Sequence, residues 1–241
     1  MARRPSRPAR PARRRARTAS AQSGATPGGE REKIIAALLA LLAEKSFEQI
    51  ALADIAKGAG VSLVQLRGAF GSPLAILAAY FKDVDRAVLG ADFSDMEDEP
   101  ARERLFDVLM RRLEAMAPHR AAVRSLLRSA RRHAPLAFAL NALAVRSQKW
   151  MLAAAGINAA GPRDALRAQG LAMLFSSVLR TWVRDEDPGL AGTMAELDRA
   201  LARGQRLAGF LDDLCFIPAR LCRLRSRRRS RYDESEESAA A

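Results

Sequence analysis

The stretch SLVQLRGAF, residues 62–70, puts three side chains that can make directed hydrogen bonds, Ser62, Gln65 and Arg67, within about two turns of a helix. Gln and Arg each carry a planar fork that can make two parallel hydrogen bonds, Gln to an adenine edge and Arg to a guanine edge. Each such pairing is worth about 1–3 kcal/mol of discrimination between bases. Leu63 and Val64 between them can only touch thymine methyl groups, and Gly68 completes the exposed surface of the segment. No other constellation offers chemistry. His119 and His133 are the only histidines, each among arginines, with no carboxylate, Cys or Ser placed to build a triad or a metal site. Asp185 to Asp187 beside Pro188-Gly189 read as a turn, and Asp212-Asp213 as a solvated helix face. There is no phosphate loop or dinucleotide fingerprint. No catalytic residue, metal or cofactor is expected, and the chain does not read as an enzyme.

A net charge of +13 points to a polyanionic partner, and its placement narrows the choice. Residues 1–29 hold eight arginines and no acid, Arg13, Arg14 and Arg15 in one run, while residues 220–231 hold seven more, followed by four acids. The body between is close to neutral. Both ends are poor in apolar residues and are expected to be disordered, 1–29 as an Arg/Pro-rich arm and 216–241 as a basic, then acidic, tail. The arm has no apolar stretch of the kind a secretory signal needs, and Pro5, Pro8 and Pro11 would break an amphipathic transit helix. No apolar run approaches the ~20 residues of a membrane span, so a soluble, cytoplasmic chain is expected. The two cysteines, Cys215 and Cys222, are too far apart on a helix to bridge.

The elements that would hold residues 62–70 follow from periodicity and capping. Ala and Leu dominate the apolar residues, which favours an all-α chain. From Arg31, Ile34, Leu38, Leu41 and Leu42 form one face of a helix ending near Lys45, and Phe47 and Ile50 pin the loop after it. ALADIAKGAG gives a short helix with Leu52, Ile55, Ala56 and Ala59 inward, stopped by Gly60. Ser62 then caps a helix from Leu63 to Ala69, and Ser72-Pro73 opens a fourth running to about Leu89. Two short helices joined by a tight turn between longer ones make a helix-turn-helix unit, with Ala56, Gly60, Val61 and Leu66 at the crossing.

On these residues, the stretch REKIIAALLALLAEKSFEQIALADIAKGAGVSLVQLRGAFGSPLAIL resembles the N-terminal domain of the TetR family of transcriptional regulators. The resemblance implies a homodimer whose third helix enters the major groove of operator DNA. Ser62, Leu63, Gln65, Arg67 and Gly68 would then face DNA, and the arm with Arg13, Arg14 and Arg15 would grip phosphates. Ala51 stands where the family usually has a capping Ser or Thr, and Pro73 where it commonly has a phosphate-binding Lys.

After the acidic linker 91–100, five more helices are expected, about nine in all. Pro135 to Ala155 should be central and most buried, and Pro162 to Arg184 and Leu190 to Leu214 should close the chain and pair with a second copy as a four-helix bundle. This half also resembles the TetR-fold, lipid-binding family that assists ubiquinone biosynthesis. The likeness rests on Trp150, Ala155-Gly156, Arg167, Leu174, Leu179, Trp182, the turn Asp185 to Pro188, Thr193 and Leu197-Asp198-Arg199. It implies an apolar pocket for an isoprenoid or lipid. Phe138, Leu143, Trp150, Met151, Met173, Phe175 and Trp182 supply large, soft side chains suited to lining one.

The expected organisation is therefore a TetR-type helix-turn-helix domain at 28–88 and a ligand-binding and dimerisation domain at 100–215. The expected function is operator binding modulated by a small apolar ligand, with a lipid-binding accessory protein that no longer reads DNA as the alternative. A basic amphipathic end at 210–231 could lie on a membrane surface, but Pro218 interrupts a continuous helix and nucleic acid accounts for the arginines equally well, so a membrane partner is not expected.

Overall fold

The computed structural model describes residues 27–93, 96, 98–157 and 161–206, among which every regular element is a helix. The arm with Arg13 to Arg15, both cysteines and the basic tail lie outside the described residues.

Helix α1 spans Pro27–Glu44. It starts four residues before the apolar period begins, because Pro is tolerated in a first turn, whose N–H groups have no acceptor within the helix. Ile34, Ile35, Leu38, Leu39 and Leu42 are buried along one side. A 3-10 turn at Phe47–Gln49 leads to α2 at Leu52–Ala59, then α3 at Leu63–Ala69 and α4 at Pro73–Leu89. Gly60 ends α2 at φ 67°, ψ 31°, a left-handed conformation that a Cβ disfavours. Ile55, Ala56, Ala59 and Leu66 are buried at the crossing of α2 and α3, with Val61 half-buried against them. Leu52, expected inward, is 46% exposed: as the first residue of α2 it lies before the turn that meets α1. A close approach with no sequence signature lies at Gly58, where a Cβ would stand 3.3 Å from that of Ala37 in α1.

Helices α5 (Ala101–Met116), α6 (Arg120–Arg132), α7 (Ala134–Ala154) and α8 (Pro162–Trp182) follow, and a ninth, α9, is described over 191–206. One apolar core runs without a break from Ile34 in α1 to Leu201 in α9. α7 is not the most buried helix. It packs on α4, α5, α6 and α8, with Leu136, Met151 and Leu152 buried, and leaves Phe138 76% and Trp150 55% exposed. Its apolar residues are spread around the helix, so its composition does not mark which of them will be covered. Gly156, at φ 69°, terminates it, and Arg104 of α5 donates to the Ala155 carbonyl there at 2.9 Å.

α6 ties the chain that follows α1 to the end of α8. Ser125 Oγ donates to the Lys45 carbonyl at 2.9 Å, and Ser129 Oγ accepts from the Phe47 N–H at 3.2 Å. From the same helix Arg120 donates to the carbonyls of Trp182 and Asp185, and Arg124 to that of Val183. Asp185 in turn accepts from the N–H and hydroxyl of Thr193, at 2.7 and 2.6 Å, at the start of α9.

Candidate nucleic-acid interface

α3 is held by its own first turn. The Gln65 N–H donates to Ser62 Oγ at 3.2 Å, and Gln65 Oε1 accepts from the Ser62 N–H at 2.8 Å, a reciprocal capping box that satisfies two otherwise free donors. The other end of the Gln65 amide is also engaged, its Nε2–H donating to Glu30 Oε1 of α1 at 2.9 Å. Arg67 donates to the carbonyl of Gly71 at 3.3 Å, beyond the C-terminal end of the helix. The two side chains best suited to base edges thus stand at an exposed surface with partners from their own chain.

Leu66 is the one buried residue of α3. Leu63 and Val64 are 56% and 82% exposed, and Leu52 of α2 is another exposed apolar side chain of this unit. A Cβ at Gly68 would meet nothing within 4 Å, so that side of α3 is open. Ser72 caps α4 through the Ala75 N–H at 3.1 Å with Pro73 at its start, and Ala51 gives α2 no side-chain cap. Residues 27–90 carry seven acids and seven basic residues, so these four helices bring no net charge to a polyanion.

In the bundle, the seven residues expected around a ligand divide into two groups. Met151, Phe175 and Trp182 are buried, Leu143 is half-buried, and Phe138, Trp150 and Met173 are exposed, Met173 to 64%. The Arg120 guanidinium lies over the Trp182 ring, 5.2 Å from its centroid. A groove of about 840 Å³ is lined by Arg131, Ser177, Arg180, Thr181, Arg184, Asp185, Gly192 and Glu196, and none of the seven takes part in it. Thr193 holds the Asp185 carboxyl below its ordinary pKa through its hydroxyl.

Inside the bundle sits a polar cluster that no local sequence pattern announces. Asp85 of α4 accepts from Arg112 of α5 and from Ser147 of α7, and all three residues are buried. The Arg112 guanidinium lies 5.8 Å from the Phe175 ring centroid. Tyr80 Oη, Arg112 Nε and Gln148 Oε1 are buried with no hydrogen-bond partner in the chain. Burial pushes the Tyr80 hydroxyl up to about 12, with Arg112 opposing, and lowers the pKa of His119, whose ring meets that of Tyr80 edge-on at 5.5 Å. One partial signal does exist: Arg112 falls four residues after Val108, on the apolar face of α5. Among the described residues no three His, Cys, Asp or Glu side chains converge as a metal site, and no helix is long and apolar enough to cross a membrane.

No protein-family model matches the chain, and no curated protein matches it in sequence. Solved structures do. A TetR transcriptional regulator from Nitrosomonas europaea superposes with a TM-score of 0.57 at 26% identity, covering 73% of this chain and 97% of that one. A TetR transcriptional regulator from Rhodococcus sp. gives 0.54 at 21% identity, covering 73% and 96%. The chain has the fold of TetR-family transcriptional regulators.

Proposed function

We propose that this protein is a homodimeric transcriptional regulator that binds operator DNA through α3, with its affinity modulated by a small apolar ligand in the C-terminal bundle. The observation that carries the reading is the α2–α3 unit: a left-handed Gly60 turn and a boxed Ser62 cap hold a short helix whose outer face is open to solvent. That unit belongs to a DNA-binding domain at 28–88, and the ligand and dimer functions belong to 100–215. The arm, with Arg13, Arg14 and Arg15, supplies the phosphate grip that the neutral four-helix unit lacks.

The dimer forms through α8 and α9. Leu166, Gly170 and Met173 follow one another at i, i+4 and i+7 on the exposed side of α8, and Met194 is exposed on α9. An apolar stripe with a small residue at its centre suits close packing against a second copy. Ligand binding would favour one spacing of the two α3 helices over another.

The test is a footprint of the full chain on its own upstream region at physiological salt, where nonspecific attraction by the arm is weak. A protected site is expected. Removing residues 1–29 should weaken binding and flatten its salt dependence by about 0.9 in log–log slope for each phosphate that the arm no longer neutralises, with the site kept. Absence of any protected site, together with isoprenoid or lipid co-purifying with the protein, would overturn this reading in favour of an accessory lipid carrier.

A further inference from the structure

The Gln65 amide is engaged at both ends within the chain and Arg67 makes one hydrogen bond, to the Gly71 carbonyl at 3.3 Å, whereas the first two residues of α3 are free. Releasing Gln65 to read an adenine would break its bonds to the Ser62 N–H and to Glu30 and leave α3 without half of its cap. The new pair of hydrogen bonds would replace two existing ones, and little net gain remains for discrimination. Val64 and Leu63 give up nothing on touching a partner, since neither is covered by another part of the subunit to any large extent. In the major groove the C5-methyl of thymine is the apolar feature a branched aliphatic side chain can cover. Opposite any other base edge the same side chain would strip water from donors and acceptors and return no hydrogen bond.

On the strength of the regulator reading above, we infer that α3 selects its operator through thymine methyl groups, Val64 making the principal contact and Leu63 the second, with Gln65 fixing the helix instead of reading a base. The Gln65–Glu30 hydrogen bond adds a second element. It places the first turn of α1 beside the start of α3, so the chain that precedes residue 27, with its eight arginines, leaves the described structure next to the reading face.

The experiment selects duplexes from a randomised pool with the full chain at physiological salt, then replaces each thymine of the winning duplex by deoxyuridine, which removes the methyl and keeps every hydrogen-bonding group. Enriched duplexes should carry thymine at symmetric positions. Each uracil there should weaken binding about fourfold, the worth of one buried methyl. Val64→Ala, whose fold is checked by thermal melting, should lose the uracil penalty at the thymine that Val64 covers and keep the one opposite Leu63. Indifference to uracil, with Gln65→Ala or Arg67→Ala abolishing discrimination instead, overturns the inference and leaves the regulator reading standing. A pool from which no duplex is enriched removes both.

Discussion

The outer tip of α3 and the middle of the bundle invert the usual distribution of polarity. At the tip, Leu63 and Val64 face solvent and the polar side chains are turned back onto the helix ends. In the bundle, Asp85, Arg112 and Ser147 are withdrawn from solvent between α4, α5 and α7. The two arrangements have opposite energetics. An exposed Val contributes almost nothing to folding, so its type is free to be set by a partner. A buried ion pair is costly to desolvate and very sensitive to removal of either member, so its presence constrains how three helices sit together.

The largest effect should come from the bundle. Arg112→Met leaves Asp85 buried without its counter-charge and is expected to cost about 3–5 kcal/mol in urea melts. The double change Arg112→Met with Asp85→Leu should recover most of that stability. A double variant as unstable as the single one would mean that the pair does more than neutralise itself.

Next in size are the local devices of the tip. Gly60→Ala forces a Cβ into left-handed backbone and should cost about 1–2 kcal/mol, and Ser62→Ala, by removing the cap of α3, about 1 kcal/mol. If Gln65 matters mainly as the other half of the box, Gln65→Ala should also lower stability, whereas a pure base reader would leave the melting temperature unchanged.

A smaller effect concerns pH. Burial lowers the pKa of His119 below its ordinary value of 6.5, so the unfolded chain binds the proton more tightly than the folded one. Its share of stability is present above pH 6.5 and is lost as pH falls toward the folded value. Melting temperature should therefore drop on going from about pH 7.5 to about pH 5.5, and drop less in His119→Gln. The smallest effect is that of Val64→Ala on folding, expected within about 0.5 kcal/mol of zero. A larger change would mean that Val64 packs against the protein and is not held for a partner.

Legibility in the sequence follows the range of the interaction. Gly60, Ser62 and Ser72-Pro73 announce turns and caps through residues within a few positions of one another, and the boundaries of α3 and α4 are those expected from them. The Ser62–Gln65 box is equally local, yet the planar fork of Gln65 suggests base recognition first and hides its part in the cap. Asp85 and Arg112 are 27 residues apart and Asp85 and Ser147 62 apart, so no short pattern links them. For α7 the failure lies in its composition: apolar residues spread widely around a helix do not say which of them will be covered.

α6 behaves as a crossbar bolted at both ends. Its serines grip the chain just beyond α1, and its arginines grip the terminus of α8 and, through Asp185, the root of α9. In the dimer proposed above, a tilt that re-aims α8 and α9 would drag the far end of this bar along. Under the regulator reading proposed above, the presentation of α3 would be geared through this bar to the packing of α8 and α9.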